Sequence, residues 1–395
     1  MRTPGRRIAV LGCLVVSLAA CSPAGTEGAG SATSGTPTAT EEPTTTSPAP
    51  GPDVAVAAAL AAMDRRTQVA QLFVVGVPVD DLAAGEDLVR SGVGGVFLAG
   101  RSRAPVDEIA ATAAGWQSAA PGPGLWIAVD QEGGQVQSLQ GPGFESLPSA
   151  RDQGALPPGD LSGIADGLGA ALQGAGVNLD LAPVVDVVPA GTEGANPPIG
   201  AVDRQYGSTA DVVATAAGTV VDGLAAHGVT ATLKHFPGLG RVRSNTDTSA
   251  ETVDETTTAG DEQVAAFGRL AGSPAHPFVM ASSAVYTQLD PNAPAAFSSV
   301  VLTDLLRGQL SFDGVVISDD VGNARAVTGI PAEERAVRFL AAGGTLVLTV
   351  DPSIVPSMID AVLARGDADA GFAAQVDGAV HAALLAKARA GLLSG

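Results

Sequence analysis

Residues 229–249 read VTATLKHFPGLGRVRSNTDTS, and they carry the pattern that decides the fold. The first five residues, 229–233, form a short apolar run that favours a buried strand. A proline and two glycines follow almost at once, and they stop any strand or helix. Lys234 and His235 are therefore expected at the carboxyl end of the strand, in front of a long polar loop.

The same pattern recurs along the chain. Short runs rich in Val, Ile and Leu alternate with longer alanine-rich segments that have the length of helices. Continuous apolar runs are typical of parallel strands, and their alternation with helices predicts an α/β fold, a single (β/α)8 TIM-type barrel. An open doubly wound sheet is the alternative, but its glycine-rich turn directly after the first strand is absent. The eight predicted strands are residues 71–78, 93–100, 125–130, 178–187, 229–235, 277–282, 314–319 and 345–350.

The N-terminal residues have the plan of an export signal. Three arginines precede an apolar run, residues 8–20, which is shorter than the roughly 20 residues that a membrane-spanning helix needs. The sequence LAAC at its end resembles the lipobox of bacterial lipoproteins, in which the cysteine is acylated. We predict a signal peptide over residues 1–20 and lipidation of Cys21, which would anchor the protein to the outer face of the bacterial cell membrane. An ordinary cleaved signal is the alternative, and it also implies export.

Composition sets further limits. After Cys21, residues 22–52 are Thr, Pro, Ser, Ala and Gly with scattered Glu and no apolar pattern, so residues 21–52 are predicted to be a disordered tether ahead of a barrel domain over residues 53–395. The only other cysteine, Cys13, lies in the run that would be removed with the signal, so we expect no disulfide and no cysteine zinc site. The four histidines of the chain leave little for metal binding, and we expect no metal. The formal net charge of −20 argues against a nucleic-acid partner and against membrane contact other than through the lipid. Oligomeric state cannot be read from these features.

Polar side chains stand at the ends of three predicted strands. Asp130 ends the third strand, Lys234 and His235 end the fifth, and Asp319 and Asp320 end the seventh. The carboxyl ends of barrel strands meet at one mouth, so these groups should share a pocket suited to a polyhydroxylated ligand. For Asp320, a cap on the following helix is an equally good interpretation.

A family resemblance is carried by several segments in a fixed order: IAVDQEGGQVQ, NLDLAPVVDV, DRQYGS, KHFPGLG and FDGVVISDD. They resemble the single-barrel bacterial β-N-acetylglucosaminidases of glycoside hydrolase family 3, which are associated with peptidoglycan turnover, and the match extends over residues 54–393. The resemblance implies a retaining mechanism with a covalent glycosyl-enzyme, a GlcNAc-containing saccharide or muropeptide as substrate, and no cofactor.

The resemblance also assigns roles to residues. Asp319 matches the nucleophile of the family, and Asp130 matches its sugar-hydroxyl-binding aspartate. Lys234 and His235 match the pair that binds the same sugar. Arg204 matches the arginine of the family's Gly-x-Arg-x-Phe-Gly stretch, which here reads VDRQYG. Charged groups suit this task because the sugar is covered with hydroxyls.

One departure removes the expected proton donor. The family carries an Asp-Ser/Thr-His triplet after KHFPG, and its histidine is the general acid/base; here the triplet reads DTS, with Ser249 in third place. A serine hydroxyl cannot replace an imidazole in this role at neutral pH. We predict that Asp247, the first residue of the triplet, donates the proton instead, with Glu251 and Asp254 as alternatives. The remaining histidines are expected away from the mouth: His227, His276 and His381.

Other departures concern the substrate. Gln135 and Ser138 stand where the family usually has arginines, and Ser283 lies near a position that is often histidine. The loss of cations should weaken binding of an anionic neighbouring group. Three functions stay open: a retaining exo-acting β-N-acetylglucosaminidase, a related β-glycosidase or a phosphorylase that uses phosphate as the acceptor, and a wall-sugar-binding lipoprotein without turnover.

Overall fold

The structure is a computed structural model that describes residues 51–393. The predicted signal peptide, Cys21 and nearly all of the predicted tether lie outside the described residues. The first helix begins at Pro52, beside the boundary expected at residue 53. Within residues 51–393, no helix combines the length and the apolar character that crossing a membrane requires.

The eight predicted strands are confirmed, and they form a parallel barrel. Strands that are consecutive in the sequence pair from the first to the seventh, and the first also pairs with the eighth. A parallel bridge between Ile317 and Leu346 joins the two outer strands and closes the barrel. The strands are β1 Phe73–Pro78, β2 Gly95–Ala99, β3 Trp126–Val129, β4 Leu179–Asp180, β5 Thr230–Phe236, β6 Phe278–Ala281, β7 Val316–Ser318 and β8 Val347–Thr349.

A helix follows every barrel strand, as a (β/α)8 barrel requires. After β6 this element is a π-helical segment, Val300–Gln309. The α-helices of the described part are α1 Pro52–Ala62, α2 Arg65–Ala70, α3 Gly85–Arg90, α4 Val106–Ala119, α5 Ala150–Gly154, α6 Pro158–Gly174, α7 Ala210–Ala226, α8 Glu262–Leu270, α9 Ala332–Ala341, α10 Val355–Ala368 and α11 Ala370–Arg389. Short 3₁₀ turns lie at Leu82–Ala84, Glu193–Ala195, Gly200–Val202, Ala295–Phe297, Arg325–Val327 and Pro352–Ile354.

Helix α7 illustrates how the sequence specifies the outer layer. Thr209 caps its N-terminus by accepting a hydrogen bond from the backbone N–H of Val212. Val213, Val220 and Leu224 recur at the spacing of one helical face, and all three are buried. This face packs the helix against the barrel and against the preceding helix, α6.

The loop after β5 is held firmly at the barrel mouth. Asn196 donates from Nδ2 to the carbonyls of Leu239 and Val242, at 2.7 and 2.8 Å. The hydroxyl of Tyr286 donates to the carbonyl of Gly238 at 2.9 Å. Farther along, the loop contributes to a small sheet of three strands, Val253–Asp254, Val285–Tyr286 and Asp290–Pro294. A hairpin after β3 pairs Gln131–Gly133 with Val136–Gln137.

Candidate active site

A cavity of about 250 Å³ opens at the carboxyl ends of the barrel strands. Side chains from the ends of β3, β5 and β7 meet there with others from the loops that follow β4 and β5. All six side chains that were predicted for the site line this cavity: Asp130, Arg204, Lys234, His235, Asp247 and Asp319. The barrel therefore brings together residues that are far apart in the sequence.

Lys234 lies at the centre of this arrangement. Its side chain is 2% exposed, and Nζ donates to Asp130 Oδ1 at 2.6 Å and lies 2.7 Å from Glu132 Oε1. Burial alone would lower the pKa of Lys234, but the carboxylates of Asp130 and Glu132 raise it to about 12. The lysine is therefore a permanent cation, and its ammonium group contacts both carboxylates.

Glu132 links this lysine to Arg204. The guanidinium donates from Nε and Nη2 to the two carboxylate oxygens of Glu132, at 2.8 and 2.7 Å, and from Nη1 to the carbonyl of Pro198. Such two-point contact fixes the plane of an arginine. Burial would raise the pKa of Glu132, but the charges of Arg204 and Lys234 outweigh it and lower the pKa to about 2. We call Asp130, Glu132, Arg204 and Lys234 the charge cluster.

A second buried carboxylate orients His235. Asp186 is fully buried, and Oδ2 lies 2.8 Å from Nδ1 of the imidazole. Oδ1 accepts the backbone N–H groups of His235 and Leu239, at 3.0 and 2.7 Å. An ionised carboxylate can only accept, so Nδ1 carries the proton of this bond and the ring has a fixed orientation.

Asp319 follows directly after β7 and is partly buried at the mouth. Its Oδ1 accepts the backbone N–H of Asp320 at 2.9 Å, while Oδ2 makes no hydrogen bond with any of residues 51–393. Burial raises the pKa of Asp319, the nearby charge of Asp247 adds to the rise, and His235 opposes it. One oxygen of this carboxylate is thus free to meet a ligand.

Asp320 has a different role from the helix cap considered for it. Its carboxylate accepts the backbone N–H groups of Gly322, Asn323 and Val350, at 2.8, 2.9 and 2.9 Å. Helix α9 begins only at Ala332, so the carboxylate stabilises the turn after β7 and joins it to β8. The expected cap on the following helix is wrong because a long turn separates Asp320 from that helix.

The loop that carries the DTS triplet forms a tight turn. Asn245 accepts the backbone N–H of Asp247 with its side chain, at 2.9 Å, and that of Ser249 with its carbonyl, at 2.8 Å. The hydroxyl of Ser249 donates to the carbonyl of Glu251 and accepts its N–H, at 3.1 and 3.2 Å. Asp247 lines the cavity, whereas Ser249 is engaged in the turn and does not line it.

The other acids of this loop do not line the cavity. Asp254 is buried, and its carboxylate accepts both the backbone N–H and the hydroxyl of Thr256 and of Thr257. Glu251 lines a separate cavity of about 530 Å³. The three remaining histidines, as expected, do not line the cavity either: His227, His276 and His381. The imidazole of His227 contacts Asp166 instead. Asp247 is therefore the loop carboxylate that reaches the site.

Comparison with known proteins shows the family to which the chain belongs. A model of the glycosyl hydrolase family 3 N-terminal domain matches residues 65–381, which is most of the chain. The chain belongs to this family. It is therefore a glycoside hydrolase built on a TIM barrel.

Similar proteins of this family are known. A beta-hexosaminidase of Stenotrophomonas maltophilia is 36% identical over 309 residues, which are 74% of this chain and 88% of that protein. A crystal structure of beta-N-acetylhexosaminidase from Beutenbergia cavernae is 47% identical with a TM-score of 0.79, covering 82% of this chain and 98% of that one. A family 3 beta-N-acetylglucosaminidase from Paenibacillus is 29% identical with a TM-score of 0.76, covering 84% and 64%.

The family 3 departures noted in the sequence also have structural consequences. Gln135 is exposed in the turn of the hairpin after β3, and its carbonyl accepts a hydrogen bond from Arg101 at 2.6 Å. Ser138 is buried, and its backbone bridges Asp130 and Ser102. Neither position supplies a cation to the cavity.

Two members of the site were not predicted from the sequence, Glu132 and Asp186. Both lie inside the quoted motifs, Glu132 in IAVDQEGGQVQ and Asp186 in NLDLAPVVDV. The available signal was an acid at the end of a predicted strand: Glu132 follows strand 125–130, and Asp186 is the second-last residue of strand 178–187. Their partners could not be read from that signal, because Glu132 binds Arg204 and Asp186 binds His235, which lie 72 and 49 positions away in the sequence.

Proposed function

We propose that this family 3 glycoside hydrolase is a retaining, exo-acting β-N-acetylglucosaminidase that releases terminal GlcNAc from peptidoglycan fragments. The observation that carries the proposal is the cavity itself, in which a carboxylate with a free oxygen, Asp319, faces a hydroxyl-binding charge cluster. The activities named for the similar proteins from Stenotrophomonas and Beutenbergia support the choice of an N-acetylhexosamine as the sugar.

The reaction has two steps. Asp319 attacks the anomeric carbon, the bond to the leaving sugar breaks, and a covalent glycosyl-enzyme forms. Water then attacks the same carbon and releases GlcNAc, regenerating the Asp319 carboxylate. Asp130, Lys234, Arg204 and His235 bind the hydroxyls of GlcNAc and hold the ring for attack.

Asp247 is the acid and base of this scheme. It protonates the departing glycosidic oxygen in the first step and accepts a proton from water in the second. Three observations support it: Asp247 lines the cavity, its charge acts on Asp319, and the alternative loop acids are turned elsewhere. Ser249 keeps the turn in shape and takes no part in proton transfer.

The test compares two substrates with the same GlcNAc unit. An aryl N-acetyl-β-glucosaminide has a good leaving group, whereas GlcNAc-anhydroMurNAc has a poor one that needs a proton. We expect Asp319→Asn to abolish turnover of both. Asp247→Asn should abolish turnover of the natural disaccharide but retain kcat/KM for the aryl substrate, whose kcat should fall because water attacks the glycosyl-enzyme without a base. Full activity of Asp247→Asn on the disaccharide would remove Asp247 from the scheme.

The same assay separates the alternatives. Faster release of GlcNAc in the presence of phosphate, with formation of GlcNAc-1-phosphate, would identify a phosphorylase. Binding of the disaccharide without turnover of either substrate would indicate a wall-sugar-binding protein. Activity that is independent of phosphate and lost in Asp319→Asn supports the hydrolase.

We further propose that the protein is exported and held on the outer face of the bacterial cell membrane by a lipid on Cys21. The LAAC sequence supports acylation, and the Thr/Pro/Ser-rich residues 21–52 would let the barrel reach into the wall. Cys21→Ala should release the protein into the medium. Its retention in the membrane fraction would count against acylation.

A further inference from the structure

The cations of the active-site cavity are already paired. Arg204 and Lys234 line it, and both bind carboxylates of the protein itself. Lys234 lies within 2.7 Å of Asp130 and Glu132, and Arg204 makes a two-point contact with Glu132. Two cations and two carboxylates balance within the charge cluster. It therefore offers hydrogen-bond donors to a sugar but no surplus positive charge to an anion.

Two more carboxylates face the cavity without a cation. Asp319 accepts a single backbone N–H, and within residues 51–393 no group donates a hydrogen bond to the carboxylate of Asp247. Asp320 differs, because three backbone N–H groups offset its charge. The imidazole of His235 adds no surplus positive charge, since it is paired with Asp186. The balance of the cavity is therefore negative, in a chain with a formal net charge of −20.

We propose that this cavity selects, beside the terminal GlcNAc, a leaving sugar that has no negative charge near the bond to be cleaved. The inference rests on the proposed glycosidase function and specifies its substrate. In muramic acid the lactyl group ends in a carboxylate when it is free and in an amide when it carries a peptide. The preferred wall fragments are accordingly those with an amide-linked lactyl group, and the free acid is a poor substrate.

The size of the effect follows from Coulomb's law. Two like charges about 4 Å apart in water lower an association constant by roughly fivefold, and by more where the protein excludes water. A lactyl carboxylate bound at the cavity meets the charge of Asp319 even while Asp247 holds the proton that it donates. Salt should weaken it, since the screening length falls from about 10 Å at 0.1 M to about 3 Å at 1 M.

The experiment uses a matched pair of substrates. GlcNAc-β-1,4-MurNAc is prepared as the free lactyl acid and as its methylamide, which differ in charge and share the same glycosidic bond. Release of GlcNAc by the full-length enzyme is measured at low salt and at 1 M NaCl. We expect kcat/KM for the amide to exceed that for the acid by at least about fivefold at low salt, and the ratio to fall toward one at high salt.

The outcomes separate this inference from the function on which it rests. Equal kcat/KM values, or a preference for the acid, would overturn the charge selection and leave the glycosidase intact. If neither disaccharide is cleaved while a neutral aryl glycoside is, the selection is wrong and the leaving sugar is of another class. Absence of turnover with all three substrates would instead refute the proposed glycosidase.

Two variants test whether another cation contributes. Arg101 is exposed and donates to the carbonyl of Gln135, in the hairpin that follows Asp130, so its guanidinium is one candidate for binding a lactyl carboxylate at the rim. We expect Arg101→Gln to leave the amide-to-acid ratio unchanged. A selective loss of activity on the acid would show that Arg101 binds it and would contradict the inference. The matched variant Gln135→Arg should raise kcat/KM for the acid several-fold and leave the amide unaffected; a ratio that does not move would count against the selection.

Discussion

Replacing Glu132 with glutamine tests the charge cluster directly. The carboxylate is 3% exposed, and it binds both Arg204 and Lys234. Glutamine has nearly the same shape, but it loses the charge and places an NH₂ group against donors that need an acceptor. Asp130 would then be left as the single carboxylate for two buried cations. We expect Glu132→Gln to lower stability and, because Arg204 and Lys234 lose their fixed positions, to raise KM.

The magnitude can be worked out from the pKa of Glu132. Its drop from 4.5 to about 2 corresponds to on the order of 3 kcal/mol at neutral pH, at about 1.4 kcal/mol for each pKa unit. Removing one partner of a buried ion pair typically costs about 3–5 kcal/mol, which agrees. With an unfolding entropy of about 2.1 cal/mol/K per residue, a loss of this size lowers Tm by about 4 °C for a domain of this length.

The stabilisation by Glu132 should depend on pH. A carboxylate whose folded pKa is depressed stabilises the protein fully above its unfolded pKa and loses that contribution as pH falls through the folded value. The contribution of Glu132 should therefore decline between about pH 4.5 and pH 2. Glu132→Gln lacks this contribution at every pH, so the stability difference between the two proteins should narrow over that window.

Urea unfolding followed by circular dichroism at pH 7, 4 and 3 measures both effects. Glu145→Gln is the control, because Glu145 is exposed on the loop after the hairpin and its loss should change stability by less than about 0.5 kcal/mol. If the urea midpoint of Glu132→Gln equals that of the wild type at pH 7, the reasoning is refuted. A stability difference that stays constant from pH 7 to pH 3 would show that the carboxylate charge is not its cause.

Further predictions concern the proton donor, the nucleophile and a buried lysine. Ser249→His restores the imidazole of the family triplet, so turnover of GlcNAc-anhydroMurNAc should rise while turnover of the aryl glycoside changes little. The acid limb of kcat/KM reports the ionisation of Asp319; because Asp247 helps to raise that pKa, Asp247→Asn should move the limb to lower pH when the aryl glycoside is assayed. Burial lowers the pKa of Lys387, which donates to Gln71, to about 7. Between pH 7 and the usual lysine pKa, the unfolded chain binds more protons than the folded chain, so the Tm of the wild type should rise from pH 7 to 9. Lys387→Met should remove this rise, and it should increase Tm at pH 6, where the buried lysine is charged.

The fold could be predicted because its signal is local. Each barrel strand is a short apolar run that is buried on both faces, and the polar residue after it marks the mouth. Asp130, Lys234, His235 and Asp319 follow from that rule without any knowledge of tertiary contacts. Arg204 does not, because it lies in the loop after β4, and it was found through the family resemblance alone.

The pairing of buried charges could not be predicted for a physical reason. Glu132 and Asp186 are acids near strand ends, and in the sequence they look the same as Asp130 or Asp320. Their effect depends on which cation or N–H group the barrel places beside them, and those partners come from neighbouring strands and loops that are far apart in the sequence. Sequence patterns locate the mouth, whereas closure of the barrel determines which carboxylates are paired and which stay free.

The loop that carries the DTS triplet is attached to the segment that follows β7. In the turn, Ser249 bonds twice to the backbone of Glu251, and Thr246 accepts the backbone N–H of Ala326 at 3.0 Å. Ala326 belongs to the segment that follows β7, the strand that presents Asp319. The loop is thereby fastened to the element that carries the proposed nucleophile, and Asp247 is held at the cavity without an imidazole beside it. In the proposed scheme Asp247 is the proton donor that this turn holds at the cavity, a role that a serine hydroxyl alone cannot fill.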